Sequence, residues 1–202
     1  PGVRTTVIRQ PVGVAGLLAP WNFPLAMITR KVAPALGAGC TTVVKAPHEA
    51  PLSALAMAHL AEEAGIPKGV INVLVSSRGT NESEMGLALC ESPMVDKISF
   101  TGSTRVGKIL MRQSASTLKK LSMELGGNAP FIVFDDADVD AAVSNALACK
   151  FRCGGQTCIS LNRLFVHADV YDEFVQKFKD QVQQLRVGYG LDENINIGPL
   201  VS

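Results

Sequence analysis

The chain has 202 residues, of which 47% are hydrophobic and 18% charged, and its formal net charge is +1. This composition is typical of a globular protein with a sizeable core and excludes an intrinsically disordered chain. The charge and the 5% aromatic content indicate no basic or stacking surface for nucleic acid, and no apolar run is long enough to cross a membrane.

Short apolar runs alternate with longer amphipathic runs along the chain. In chain order, strands are predicted at residues 12–18, 41–45, 70–75, 97–100, 118–124, 131–134 and 163–167. Helices are predicted at residues 25–36, 52–64, 82–90, 104–114, 139–151 and 170–185. The alternation predicts an α/β fold with parallel strands, whose carboxyl ends bind ligands. A composition shift near residues 125–128 predicts two domains, residues 1–124 and 125–202.

The five cysteines are odd in number and include no Cys-x-x-Cys pair. This pattern argues against a zinc ribbon and a disulfide scaffold, so we expect no metal and an intracellular protein. Cys40, Cys90 and Cys149 lie among apolar residues and are predicted to be structural. Cys153 precedes Cys158 closely enough in sequence to leave open a disulfide that would inactivate the protein.

A glycine-rich turn, Gly102-Ser103, leads from a predicted strand into a predicted helix. Backbone N–H groups at such a turn can hold a phosphate. The run to Gly107-Lys108 is close to an ATP-binding loop, but Ile109 stands where that loop needs a hydroxyl for Mg²⁺, which excludes an ATPase. A dinucleotide pyrophosphate site and an ordinary strand–helix turn remain alternatives, since no Gly-x-Gly-x-x-Gly fingerprint is present.

Three other side chains have the chemistry of a covalent catalyst. Cys158 follows a glycine-rich loop, where a cysteine can be a nucleophile, although buried structural cysteines are commoner. Glu124 lies among apolar residues at a strand end, where burial would raise its pKa and suit a general base acting on water, although a solvated Glu is more frequent there. Asn22 lies between prolines, so its amide could be an oxyanion donor or simply part of a turn.

Together these runs occur in the order and spacing of the aldehyde dehydrogenase superfamily, which the chain resembles over essentially its whole length. The runs are Pro20-Trp21-Asn22-Phe23-Pro24, Val44-Lys45-Ala46-Pro47, Phe100-Thr101-Gly102-Ser103, Glu124-Leu125-Gly126-Gly127-Asn128 and Gly155-Gln156-Thr157-Cys158. The resemblance implies a parallel Rossmann-like cofactor-binding sheet followed by the start of an α/β catalytic domain.

The resemblance also implies a role for each residue. Cys158 matches the nucleophile that attacks the aldehyde carbon, Asn22 the oxyanion donor, and Glu124 the base that activates water to hydrolyse a thioester. Lys45 matches the residue that hydrogen-bonds the adenosine ribose. Further cofactor contacts are implied at Trp21, Ala46, Pro47, His48, Gly102, Ser103, Thr104, Arg105, Val106, Gly107 and Leu125.

Within the superfamily the chain is most similar to the succinate-semialdehyde dehydrogenases, on residues 26–31 and 150–152. Arg30 and Arg152 match the two arginines that hold the substrate carboxylate, because guanidinium groups bind carboxylates bidentately. A lone arginine would more often form a surface ion pair. The likeness implies a small semialdehyde substrate, a homo-oligomer (dimer or tetramer), and a location in the mitochondrial matrix or cytosol.

The likeness implies NAD as cofactor, with NADP possible. NAD-preferring members often carry Glu at the third position after Lys45, where it repels a 2′-phosphate, but this chain has His48 followed by Glu49. Other hypotheses stay open: a dehydrogenase of different substrate range, or an inactive fragment that acts only as a binding module. A cysteine hydrolase is disfavoured, since none of the three histidines lies in a glycine-rich loop near Cys158.

Overall fold

The computed structural model describes residues 2–201, apart from the side chain of Thr80, as two compact units that divide between Leu125 and Gly126. Both units contain parallel strands joined by helices, which confirms the predicted α/β fold. The predicted cofactor-binding and catalytic roles of the two regions stay predictions. No helix in the described part of the chain combines the length and apolar character that a membrane span needs.

The first unit is a parallel sheet of five strands in the order β3-β2-β1-β4-β5. The strands are β1 (Val14–Leu18), β2 (Thr41–Lys45), β3 (Ile71–Leu74), β4 (Lys97–Thr101) and β5 (Lys120–Glu124). The helices are α1 (Ala26–Gly37), α2 (Pro51–Glu63), α3 (Thr80–Glu91) and α4 (Thr104–Ser114), followed by a short 3₁₀ turn, Ala115–Thr117. This strand order is that of dinucleotide-binding sheets, with the reversal of winding between β1 and β4.

Two apolar cores cover opposite faces of this sheet, because successive side chains of a strand point to opposite sides. Leu17 of β1 packs with Ile28 of α1 in one core. Leu18, the next residue, packs with Ile98 of β4 and Leu110 of α4 in the other. The strands therefore read as continuous apolar runs rather than as alternating ones, as buried parallel strands do.

The strands β1 and β5 begin two residues later than their apolar patterns predict, because a backbone constraint intervenes. Gly13 has φ +114° and leaves no room for a Cβ beside the Asp96 carboxylate, which accepts the Val14 N–H at 2.8 Å. This contact makes Val14 the first residue of β1. Leu118 has φ +51° at the end of the 3₁₀ turn, so β5 begins only at Lys120.

The second unit has a parallel strand pair, β6 (Ala129–Val133) and β7 (Leu161–Val166), with two helices, α5 (Val139–Phe151) and α6 (Ala168–Gln183). Phe174 of α6 is 1% exposed and packs with Val143 of α5 and Val133 of β6. A 3₁₀ turn, Arg152–Gly155, follows α5 directly. Because α5 and β7 are anchored in this core, the loop between them has fixed ends.

Candidate active site

A cavity of about 490 Å³ opens where β1 and β4 end, at the reversal of the sheet winding. Parallel α/β sheets bind their ligands at this position, because neighbouring loops there run to opposite faces and leave a crevice. The cavity wall includes eight of the predicted cofactor residues: Trp21, Lys45, Pro47, His48, Gly102, Ser103, Arg105 and Val106.

The other four predicted cofactor residues lie outside the cavity wall. Ala46 is fully buried in the core beneath α1, and Thr104 is exposed at the start of α4. Gly107 and Leu125 face each other, since a Cβ on Gly107 would lie 2.5 Å from Leu125 Cδ2. These two residues set how closely α4 approaches the chain that leaves β5, and their contact with a cofactor stays a prediction.

A charged cluster lies at the carboxyl end of β2. Lys45 is 6% exposed, and its ammonium donates a hydrogen bond to the Glu82 carboxylate of α3. His48 lies between two carboxylates, with Nδ1 3.3 Å from Glu82 Oε2 and Nε2 3.4 Å from Glu49 Oε1. The buried ammonium is therefore already paired before any ligand arrives.

The electrostatics of this cluster keep Glu82 ionised. Its partial burial alone would raise the pKa of the carboxyl group, but the hydrogen bond and charge of Lys45, with a smaller effect of His48, outweigh burial and hold the pKa below its ordinary value. Glu82 is thus an anion at neutral pH.

The wall formed by β4 and α4 fits a phosphate-bearing ligand. Gly102 has no room for a side chain, because a Cβ would lie 2.4 Å from Phe100 Cζ. Ser103 caps α4 by accepting the Val106 N–H at 3.3 Å, and the first turn has no acidic residue to repel an anion. The Thr101 hydroxyl oxygen is buried with no hydrogen-bond partner in the described part of the chain, which leaves it for a polar ligand atom.

Two charged residues of the cavity were absent from the sequence prediction. Arg78, just before α3, and Glu82, in its first turn, both line the cavity. Neither belongs to a recognisable motif, and Glu82 is 37 residues from its partner Lys45. The alternation of strands and helices places α3 correctly, but it gives no indication of which α3 side chain reaches the end of β2.

Glu124 is the last residue of β5, and its side chain is exposed within the first unit. Its carbonyl accepts the Gly102 N–H at 3.0 Å, and it pairs in register with Thr101 of β4. The strand that carries the predicted base is thereby joined to the glycine turn at the cavity. A carboxylate in this position is accessible to water, as a general base for hydrolysis requires.

Lys31 of α1, which the sequence analysis did not single out, is a buried cation in the same unit. It is 7% exposed, and its Nζ donates to Ser99 Oγ at 3.0 Å. Burial lowers the pKa of Lys31 to about 8; the charge of Glu124 opposes the shift, and those of Arg30 and Lys97 add to it. Only burial could have shown this, since a lysine in an amphipathic helix is normally exposed.

The other predicted residues of the first unit, Asn22 and Arg30, lie after β1 and on α1. Asn22 is half-buried in the bend between β1 and α1, and Arg30 is exposed. Phe23 accepts the Met27 N–H at 2.8 Å, which closes the turn into α1 directly after Asn22.

The loop that carries Cys158 has an unusual backbone. Cys153, Gly154 and Gly155 are consecutive residues with positive φ, at 54°, 63° and 77°. The loop is tied internally, since Thr157 Oγ1 donates to the Arg152 carbonyl at 3.4 Å. Cys158 itself is exposed.

The backbone around Cys158 is open to a ligand. Within the described chain its N–H has no acceptor, whereas its neighbours Thr157 and Ser160 donate to Gly155 and Thr157 carbonyls. Gly127 lies just before β6, and a Cβ there would lie 3.5 Å from the Cys158 carbonyl oxygen. An exposed thiol beside an unused backbone donor is the arrangement that covalent catalysis at a carbonyl needs.

Arg152 and Cys153 lie at the start of the same loop, directly after α5. Arg152 is exposed and is therefore accessible to an anionic substrate. Cys153 is half-buried, and no disulfide joins it to Cys158 in this structure. The hypothesis of a disulfide between these two cysteines stays a prediction.

One exposed group of side chains elsewhere in the second unit has metal-ligating chemistry. Asp135, His167 and Asp169 bring their ligand atoms within 4.8 Å of one another. His167 Nδ1 already accepts the Asp169 N–H at 3.4 Å as the cap of α6. Exposed acidic groups of this kind are common on protein surfaces. All three residues of the cluster are exposed, so none has a buried ligand atom that would require a cation.

Comparison with known proteins covers the whole chain. The model of the aldehyde dehydrogenase family matches residues 1–202. A succinate-semialdehyde dehydrogenase of Saccharomyces cerevisiae, named for NADP(+), is 57% identical over all of this chain and 40% of its own length. A glutarate-semialdehyde dehydrogenase of Pseudomonas aeruginosa is 55% identical over 201 residues, which are 41% of its length.

The fold also matches that of solved structures closely. The crystal structure of a succinate-semialdehyde dehydrogenase from Burkholderia pseudomallei superposes with a TM-score of 0.92 at 55% identity, over 96% of this chain and 39% of that one. The chain spans about 40% of the length of the curated relatives it matches. Because the family model, the sequence identity and the fold all agree, the chain belongs to the aldehyde dehydrogenase family.

Proposed function

We propose that the full-length protein oxidises succinate semialdehyde, or a similar small semialdehyde, to the corresponding acid through a thioester on Cys158. The observation that carries the proposal is the exposed thiol of Cys158 beside its own unused backbone N–H. The names of the relatives from S. cerevisiae and P. aeruginosa support the substrate class.

The proposed reaction begins with attack of the Cys158 thiolate on the aldehyde carbon, which forms a carbon–sulfur bond and an oxyanion. The Asn22 amide and the Cys158 N–H donate hydrogen bonds to that oxygen. A nicotinamide cofactor, when bound, would supply the oxidising power by accepting a hydride from the former aldehyde carbon. Glu124 then takes a proton from water as its oxygen attacks the thioester, and the Cys158 thiolate leaves as the carboxylic acid forms.

Residues of the first unit would hold the cofactor in the cavity at the ends of β1 and β4. The start of α4, with Gly102 and Ser103, would face the pyrophosphate, and Lys45 would face the adenosine ribose. The buried, unpartnered Thr101 hydroxyl supports a polar ligand here. A nicotinamide dinucleotide of either type is part of the proposal, as are a homo-oligomeric state and the predicted intracellular location.

The substrate class can be tested through Arg30. In the full-length protein, Arg30→Ala should lower kcat/KM for succinate semialdehyde about 10- to 100-fold, because a charged hydrogen bond to the substrate carboxylate contributes about 1.5–3 kcal/mol. Oxidation of butanal, which lacks the carboxylate, should be unchanged, and Arg9→Ala should alter neither rate. NAD(P)H absorbance measures both; an equal loss on the two aldehydes would contradict a carboxylate-binding role.

A longer semialdehyde is a second candidate substrate, because the P. aeruginosa relative is named for glutarate semialdehyde. Arg30 and Arg152 are both exposed and would bind the carboxylate of either substrate. The ratio of kcat/KM for the two semialdehydes decides between them.

A further inference from the structure

Glu82 extends from the first turn of α3 to the carboxyl end of β2, in the wall of the cavity. One carboxylate oxygen accepts a hydrogen bond from the Lys45 ammonium, and the other lies 3.3 Å from His48 Nδ1. The side chain is 32% exposed, so the carboxylate is partly open to whatever occupies the cavity. The family resemblance assigns no role to this residue.

We infer that Glu82 makes this site select NAD against NADP, an inference that rests on the proposed function. Lys45 is the residue expected to hydrogen-bond the adenosine ribose, and Glu82 is its direct partner. A carboxylate oxygen can accept the hydrogen of a ribose 2′-hydroxyl, which NAD carries. A 2′-phosphate has no such hydrogen to offer and places a second anion beside the first.

The charges around Glu82 favour this outcome. The pKa of Glu82 is held below its ordinary value, so the carboxylate is ionised when the cofactor binds. The ammonium of Lys45 is already matched by that carboxylate, and Glu49 adds another negative charge 3.4 Å from His48. Among the described residues, the end of β2 therefore has no buried cation without an anionic partner for a phosphate to pair with.

The remaining cations of the cavity do not reverse this balance. Arg78 and Arg105 line the same cavity, but both side chains are exposed, so water and salt screen their attraction for a phosphate. Glu82 and Lys45 are more buried, where charges are screened less. The less screened charge decides the preference.

Position 48 is not a carboxylate in this chain, so a carboxylate near the ribose comes from another element. NAD-preferring members often carry Glu at that position, and here it is His48. Glu82 supplies the missing carboxylate from α3 and contacts His48 itself. The preference for NAD is thus a property of this α3, and it would separate the protein from the S. cerevisiae relative named for NADP(+).

The experiment uses two small probes that differ only in the 2′-phosphate. Dissociation constants of 5′-AMP and 2′,5′-ADP are measured by calorimetry on the full-length protein, which requires no catalysis. The variants are Glu82→Gln and Glu82→Ser, and the control is Glu84→Gln, which removes the same charge from an exposed position of α3. The ratio of kcat/KM for NAD and NADP is measured in parallel.

We expect the unmodified protein to bind 5′-AMP about tenfold more tightly than 2′,5′-ADP, and Glu82→Gln to remove that difference. The control should keep it. Tighter binding of 2′,5′-ADP by the unmodified protein, or an unchanged ratio in a folded Glu82 variant, would overturn the inference. If both variants fail to fold, the ratio of the dissociation constants of 5′-AMP and 2′,5′-ADP for the unmodified protein alone decides. Failure of this inference can be distinguished from failure of the proposed function. The proposed function fails if neither NAD nor NADP supports aldehyde oxidation, whichever of the two probes binds more tightly.

Discussion

Lys31 shows at the scale of a single residue how burial can create a titratable group with unusual properties. In the described part of the chain, the Lys31 ammonium of the first unit donates one hydrogen bond, to Ser99 Oγ. Desolvation brings its pKa from 10.5 to about 8 despite the opposing charge of Glu124. A charged lysine is costly in such a place, because the hydrogen bond to one hydroxyl does not replace its hydration.

This shift predicts a stability that rises with pH. Between pH 8 and 10.5 the unfolded Lys31 binds a proton that the folded one has lost, so the cost of burying the charge is full below pH 8 and disappears as pH approaches 10.5. The total is about 3 kcal/mol. Lys31→Met removes this term. The stability of the unmodified full-length protein should therefore rise relative to that of the variant between pH 8 and 10.5, as measured by their melting temperatures. A difference in melting temperature that does not change with pH would contradict the shift in pKa.

Residue identity alone singles out candidates for the chemistry of the site, but it does not reveal the electrostatics of the cavity. Cys158, Glu124 and Asn22 stand out because nucleophile, base and amide occur in recognisable runs. Lys31 and Glu82 do not, because their importance depends on burial and on a partner from another element. Such pairings arise only when the sheet brings distant strand ends together.

At the scale of elements, the junction of β4 and α4 depends on two glycines that have no room for a side chain. Gly102 lies against the Phe100 ring, and Gly107 lies against Leu125. The glycine spacing predicted the turn correctly. Dihedral angles do not require glycine at either position, since neither residue has positive φ. Close packing of backbone against side chain is what excludes larger residues here.

Gly107→Ala should destabilise the protein by up to about 2 kcal/mol, because the added Cβ would lie 2.5 Å from Leu125 Cδ2 and overpack the contact by about 1–3 kcal/mol, against a gain of about 1 kcal/mol in helix propensity. Gly86→Ala is the matched control, since its Cβ would lie 3.5 Å from Leu110, an ordinary contact, and alanine favours a helix. Denaturant titration measures both.

Leu125→Ala in the Gly107→Ala background should restore part of the loss, which a double-mutant cycle reports as coupling. Additive effects of the two substitutions would show that the contact is not the cause.

Element positions follow the predicted pattern closely, and their ends differ where the backbone overrides hydrophobicity. The apolar run predicts β5 from residue 118, but Leu118 has positive φ and is 91% exposed. The run predicts β1 from residue 12, but the Gly13–Asp96 contact delays it. Periodicity reports which face is buried, and it carries no information about dihedral angles or capping contacts.

At the scale of the whole molecule, the chain contains the residues for each proposed step, divided between its two units. The cavity, Asn22 and Glu124 belong to the first, and Cys158 to the second. Since the chain spans about 40% of the length of its curated relatives, activity is a property to measure on the full-length protein.

In the proposed mechanism, aldehyde oxidation passes through a thioester on Cys158. Glu124→Gln should slow hydrolysis without preventing thioester formation, because the amide cannot take a proton from water. After this variant is mixed with succinate semialdehyde and NAD, peptide mass spectrometry should find a succinyl group on Cys158, and none when Cys158→Ser is added. Aldehyde oxidation without acylation of Cys158, or acylation confined to another cysteine, would contradict this mechanism.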